Sequence, residues 1–389
     1  MFIKNKTIME SIAVVIPCYK RIGTLKELVD SLRRAYYGND KVSLVFSIDY
    51  SGSDAVKRYA ESVDWPFGTK KTICHSKNIG LRANILSCGD LTSNYDAVIV
   101  IEDDLEVAPS FYQFAKQAAE FYDNDDRIGG ISIYQYYYEE LTRNPFYPIY
   151  EGYDGHFVQW ASSWGQLWTK NQWSRFRDWY SDDKDISRVN IPQQVINWKR
   201  SWKKYYIAYL VETGRYFIFP YQSYIYNGNK AGGEHTITTY RSLVSAPLNT
   251  HIKKTFSFQK LDNTIYHYDA YFQMKIDPLL IDGKEYDAEL DLFGVKPRFE
   301  KDYVITSRPC HQIVYSFAAD MIPLELNILQ QRNGSFFFLV RSTDIKDMKM
   351  MPKSYLVLKS PTIWKEDLRI GFRKLFNSIL QKCKIETSI

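Results

Sequence analysis

Cysteine is scarce in this chain. Cys18, Cys74, Cys88, Cys310 and Cys383 are scattered, odd in number and without a C-x-x-C pair. That pattern argues against a disulfide framework or a cysteine-built zinc site and fits a reduced, cytosolic setting. Charge of one sign is also in short supply: the formal net charge is only +5, which gives no reason to expect nucleic acid as a partner. No G-x-G-x-x-G follows the first apolar segment and no G-x-x-x-x-G-K-[ST] occurs, so neither a dinucleotide fingerprint nor a P-loop is present to cradle phosphates. No apolar run reaches the length of a bilayer span, and the opening MFIKNKTIMESIAVVIP lacks the small-residue cleavage site of a secretory leader. Internal repeats and low-complexity tracts are absent as well.

Aromatic residues are abundant instead: 31 Tyr, 22 Phe and 9 Trp make up 16% of the chain. Rings fill cores, and Tyr and Trp also offer flat platforms to sugars and bases, so the excess leans toward carbohydrate or nucleotide ligands. The first 120 residues alternate strand and helix patterns. SIAVVIPCY, VSLVFSID, TKKTICHS and YDAVIVIEDD read as strands; TLKELVDSLRRAYY, SDAVKRYAESV and GLRANILSCGDLT read as helices between them. Such alternation predicts right-handed βαβ units and a mostly parallel sheet, with ligands bound beyond the carboxyl ends of its strands. SFYQFAKQAAEFYD then reads as a helix and IGGISIY as a strand, before an aromatic-rich loop region through Trp179. From about Leu248 the texture changes. Period-two segments broken by Asp-Gly, Pro-Arg and Asn-Gly turns predict an antiparallel β module.

Asp49, Asp103 and Asp104 all fall at predicted strand ends, as does PCYKR. Glu102, Asp103 and Asp104 are adjacent carboxylates that repel one another where Asn, Gly or Ser would make a turn at lower electrostatic cost. A cation shared with substrate phosphates would relieve that repulsion, and hard oxygen ligands select Mg2+ or Mn2+. An acidic turn whose carboxylates favour the next helix through its dipole is the competing reading. Arg21 after the first strand and Arg82 at the start of a helix are placed to supply positive charge, and Asp49 could accept from a base imide.

VVIPCYKR, FSIDYSGSD, HSKNIGLRANI and above all VIEDDLEVAPSFYQF resemble the nucleotide-binding half of GT-A glycosyltransferases. The last segment is similar to the N-acetylglucosaminyltransferase I family, and the whole to bacterial family 2-like enzymes. The resemblance covers residues 11 to 125 well and extends loosely to about 240. It implies an α/β fold with a GT-A Rossmann-like mixed sheet flanked by helices over residues 1–247. A β-rich accessory module over 248–360 and a basic amphipathic helix over 361–389 follow from the residue pattern. By the resemblance, Asp104 coordinates the metal, and Asp103 and Glu102 face ribose, metal water or donor sugar. Asp49 binds the uracil edge, Pro17 and Tyr19 line the base pocket, Arg21 sits by the diphosphate, and Asn78 and Arg82 flank the nucleotide.

The resemblance fails at the catalytic base. The family carries an Asp between two tryptophans, whereas NWKRSW, Asn197 to Trp202, has Lys199 and Arg200 there. Asp178 and Glu234 are the leading candidate bases, with Asp182 and Asp183 beside the first. Trp164 and Gly165 make a small-residue break between rings that could floor the donor-sugar pocket, and His235, after a Gly-Gly pair, could reach the metal from a closing loop. The expectation is an inverting glycosyltransferase, dependent on Mn2+ or Mg2+, moving a sugar from a UDP-sugar donor to a glycan or lipid-linked acceptor in surface polysaccharide synthesis. The basic C-terminal pattern suits either a helix on an anionic membrane surface or a packed terminal helix with a solvated basic face; the expected location is cytoplasmic, on the inner face of the membrane if the first reading holds. The β module is open to acceptor binding or homodimerisation. A sugar-nucleotide nucleotidyltransferase and a non-catalytic glycan-binding protein are the alternatives.

Overall fold

The computed structural model describes residues 8–228 and 246–345. Glu234, His235, the end of the expected β module and the expected C-terminal helix lie outside the described residues. In chain order, β1 (Ile12–Cys18), α1 (Ile22–Arg33), β2 (Val42–Ile48), α2 (Ala55–Ser62), β3 (Lys70–Cys74), α3 (Gly80–Asp90) and β4 (Ala97–Val100) follow the predicted alternation. A short β5 (Leu105–Val107), α4 (Phe111–Tyr122) and β6 (Ile128–Ser132) come next. They lead to β7 (Gly155–Val158), β8 (Gln166–Thr169), α5 (Lys170–Trp179), a one-turn α6 (Gln193–Ile196) and α7 (Lys203–Glu212). The next strands are β9 (Tyr216–Pro220), β10 (Ile225–Asn227), β11 (His267–Tyr268) and β12 (Met274–Lys275). The remainder is β13 (Leu279–Ile281), β14 (Lys284–Tyr286), β15 (Ala288–Asp291), β16 (Tyr303–Thr306), β17 (Tyr315–Phe317), α8 (Glu325–Leu329) and β18 (Phe337–Arg341).

Ten strands form one mixed sheet in the order β12-β11-β7-β9-β6-β8-β4-β1-β2-β3. β3, β2, β1 and β4 run parallel; β2, β1 and β4 are buried and made largely of β-branched and aliphatic residues that need apolar cover on both faces, while β3 is a half-exposed edge strand. β8 runs antiparallel to both β4 and β6, so β4 and β6 point the same way and their carboxyl ends share one edge of the sheet. Val100 and Ser132, the last residues of those two strands, both stand opposite Gln166.

The aromatic stretch expected to be loop contains β7, β8 and α5. Every residue of the two strands is buried, so neither shows the polar alternation that marks a half-exposed strand. Thr169 and Gln172 form a capping box that starts α5. Most rings serve as core: Trp168, Trp173, Phe176 and Tyr206 pack in mutual contact between α5, α7 and the sheet.

The sheet also draws β11 and β12 from beyond residue 247. The later strands differ from expectation too. In the sheet β15-β16-β18-β17, β15 and β16 are parallel, because the chain between them crosses over instead of turning back as a hairpin. The buried Lys296 ammonium joins this part to the main sheet, 2.7 Å from Asp269 and 2.8 Å from Glu289.

Candidate active site

β4 ends in a turn, closed by the Leu105 N–H donating to the Glu102 carbonyl, that delivers Glu102, Asp103 and Asp104 to the carboxyl edge of the sheet. The turn is clamped on its far side. β5 pairs with β10, and the Val107 N–H donates to the Ser31 hydroxyl of α1 at 3.0 Å. β1 ends on the same edge and hands the chain to Arg21, which directly precedes α1. The Arg21 guanidinium donates one nitrogen to Asp103 Oδ1 at 2.5 Å and another to Asp104 Oδ2 at 2.8 Å. The structure therefore brings Arg21, Asp103 and Asp104 into one ion-paired group.

Burial pushes the Glu102 carboxyl up to about 8, with the charges of Asp104 and Asp103 adding to the effect; Arg21 and Lys203 oppose it. Asp103 rises to about 6 through burial, against the pull of Arg21 and a hydrogen bond from the Tyr19 main chain. Asp104 Oδ1 is buried and has no hydrogen-bond partner, although its sister oxygen is paired with Arg21. An orphaned, buried carboxylate oxygen inside an acidic cluster is a position where a hard cation fits. Among the described residues no group of three His, Cys, Asp or Glu side chains could hold a metal ion. Any cation here is one completed by ligand oxygens, as divalent ions bound through phosphates are.

Asp49 is buried, and its carboxylate accepts from the main-chain N–H groups of Tyr50, Ile79 and Gly80 at 2.8–2.9 Å. It thereby anchors the first turn of α3, which Gly80 enters at φ +80°, a left-handed conformation that glycine tolerates without strain. Pro17 lies buried in β1, whereas Tyr19 and Asn78 are exposed at the same sheet edge. Arg82 donates to the Lys199 carbonyl at 2.7 Å and lies over the Tyr205 ring. It lines an open cleft together with Asp90, Asp178 and Asp182. Asp178, Asp182 and Asp183 are exposed, and the structure groups Asp178 and Asp182 with Arg82 in that cleft.

A second polar group at this edge has no forerunner in the sequence reading. The loop after β6 carries Tyr136 and Glu140, and Lys203 begins α7. Lys203 donates to Glu140 Oε2, which also accepts from Tyr136 Oη at 2.9 Å and from Trp160 Nε1 at 3.0 Å. The ammonium sits 5.2 Å from the Trp160 ring centre and 5.7 Å from that of Trp198. Burial raises the Glu140 carboxyl, but the Lys203 charge and these hydrogen bonds outweigh it and leave the carboxyl below the usual range. Lys203 also acts on Glu102, which ties this group electrostatically to the acidic turn. Trp164 meets the Tyr134 ring edge-on at 4.8 Å and stacks over Tyr136. Gly165 beside it has φ +80°, and a Cβ there would lie 2.7 Å from Ile133 and 2.9 Å from Ile225, so only glycine fits at this turn. The signal for Glu140 and Lys203 in the sequence is faint: a pair of acids in YQYYYEELT, and a lysine 63 positions further on.

Residues 13–177 match the family described as Glycosyl transferase family 2. Curated proteins give no match. Among solved structures, TarS residues 1–349 of S. aureus is similar at 13% identity and a TM-score of 0.36, covering 56% of this chain and 60% of that one. The mannosyltransferase PcManGT from Pyrobaculum calidifontis, in complex with GDP-Man and Mn2+, is similar at 12% identity and 0.36, covering 55% of each chain. GalNAc-T7 with UDP, GalNAc and Mn2+ is similar at 14% identity and 0.39, covering 55% of this chain and 43% of that one. The chain thus spans 43% to 60% of the length of these three.

Proposed function

We propose, from the match of residues 13–177 to Glycosyl transferase family 2, that the protein transfers a sugar, with inversion, from a UDP-sugar to a glycan or lipid-linked acceptor, using a divalent cation. The observation that carries the proposal is the buried, unpartnered Asp104 Oδ1 in a carboxylate cluster at the carboxyl edge of the sheet. Asp104 would hold Mn2+ or Mg2+ there with the donor's diphosphate, and the bound cation would neutralise charge developing on the departing UDP. Arg21 answers the carboxylates in the absence of donor; with a diphosphate beside it, the same guanidinium is placed to bind phosphate oxygens bidentately. Trp164, above the Gly165 break, offers a flat face for the donor sugar.

Asp49 serves the nucleotide chiefly by fixing the loop before α3, where Asn78 and Arg82 stand, and its buried carboxylate retains lone pairs for a base imide. Among the described residues no helix is long and apolar enough to cross a membrane. The basic, amphipathic pattern of residues 361–389 supports an acceptor presented at an anionic membrane surface, as surface polysaccharide synthesis would require.

The test is turnover of UDP-sugars in the presence of Mn2+, followed by UDP release. Asp104→Ala is expected to lower the rate by at least about 100-fold, the scale of losing an electrostatic contact to a developing charge, with the circular dichroism spectrum unchanged. Near-normal turnover by the folded variant would refute the proposal.

A further inference from the structure

An attacking hydroxyl must lose a proton, and the segment in which the resemblance places the base offers Lys199 and Arg200, which cannot accept one. Asp178, Asp182 and Asp183 are exposed, and the first two face the cleft lined by Arg82. Glu140 is differently placed. It lies on the loop that leaves β6, whose carboxyl end shares an edge of the sheet with that of β4 across β8, and its partner Lys203 acts electrostatically on Glu102 of the acidic turn. All its donors among the described residues, Lys203, Tyr136 and Trp160, go to Oε2. Its side chain is 27% exposed, and Oε1 is not among the buried oxygens left without a partner. Near it the part-exposed Trp164 ring, backed by the buried Tyr136, supplies an apolar face on which the C–H surface of a sugar packs.

We infer that Glu140 is the general base of the transfer, taking the acceptor's proton on Oε1 while Lys203, Trp160 and Tyr136 hold Oε2. The inference rests on the transferase reading above. In the step, a lone pair of the acceptor oxygen forms the bond to the anomeric carbon. The bond from that carbon to the diphosphate oxygen breaks, its electron pair leaves with UDP, and the acceptor's proton passes to Glu140 and then to solvent. Lys203 keeps the carboxylate ionised beforehand, and the three donors fix the direction in which the second oxygen faces. Catalysis of this kind contributes about 100- to 10,000-fold.

The experiment uses the full chain, UDP-Glc, UDP-Gal and UDP-GlcNAc with Mn2+, and water as acceptor, so that no glycan need be known. Donor binding is read separately as the rise in melting temperature that UDP and Mn2+ produce. Glu140→Gln is expected to reduce UDP release at least about 100-fold and to keep the UDP-induced thermal shift. Because this variant leaves Lys203 without its counterion, E140Q/K203M removes both charges at once and relieves any folding defect. It is expected to stay inactive while binding UDP. If Glu140 were only the counterion of Lys203, the double variant would regain release to within a few-fold of wild type, which overturns the assignment. Wild-type release by E140Q overturns it equally. Absence of any UDP-induced shift in the wild-type chain overturns the transferase reading itself, and is told apart from the other failures because those retain binding.

Discussion

Arg21 is a single side chain answering two carboxylates, one of them almost fully buried. Taking it away leaves that charge without a partner, which is costly because a buried ion has lost its water. Arg21→Ala is expected to lower stability in metal-free buffer by about 1–3 kcal/mol, a value moderated by the partial exposure of Arg21 and Asp104. Mn2+ alone should then raise the melting temperature of R21A more than that of the wild-type protein, since the ion supplies the missing positive charge. Melting curves with and without Mn2+ check this; equal responses would show that the carboxylates do not bind the ion. The acidic turn was legible in the sequence because adjacent carboxylates repel and therefore stand out. Glu140 was not, because its meaning depends on Lys203, Trp160 and Tyr136, which only the fold assembles. Asp49 was legible as a strand-end carboxylate, but two of its three main-chain donors were not, since Ile79 and Gly80 lie on a loop about 30 residues further along the chain.

Short elements show where pattern reading gives out. α8 has five residues and carries Glu325 on a buried face. Burial raises that carboxyl to about 7. A carboxyl raised in the folded state binds its proton more tightly there than in the unfolded chain, so its contribution is fully present below about 4.5 and is lost as pH rises through about 7. Glu325→Gln has no such proton to lose. Its stability relative to wild type should therefore increase between pH 4 and pH 9, on the order of 3 kcal/mol, as read by denaturant titration at the two pH values. A pH-independent difference would mean that Glu325 is hydrated. Among strands, DYVITS and SFFFLVRS do form β16 and β18, though buried at most positions rather than alternately, whereas β7 and β8, buried throughout, carry no period-two signal. β5 escaped notice because three residues after an acidic turn acquire strand geometry only by pairing with β10, over 100 positions later.

At the scale of the whole molecule, the alternation of the first 120 residues was enough to predict the parallel half of the sheet and the edge at which ligands gather. The other half was not legible in that way. β6, β8, β9 and β7 are joined by long aromatic segments, and β11 and β12 enter from a region whose composition had already changed. That second half matters for chemistry, because it carries β6, α7 and the loop that places Glu140 at the same sheet edge as the acidic turn. The arrangement makes one binding event central: a nucleotide diphosphate and a divalent cation settling together on Asp104. A ligand that binds only the folded chain raises its melting temperature by mass action. The most direct measurement is therefore the melting temperature across a panel of UDP-, GDP- and CMP-sugars, each with and without Mn2+, for wild type and Asp104→Ala. The expected result is stabilisation by a UDP-sugar that requires Mn2+ and disappears in the variant. Stabilisation by no nucleotide, or stabilisation that persists undiminished in Asp104→Ala, would contradict it.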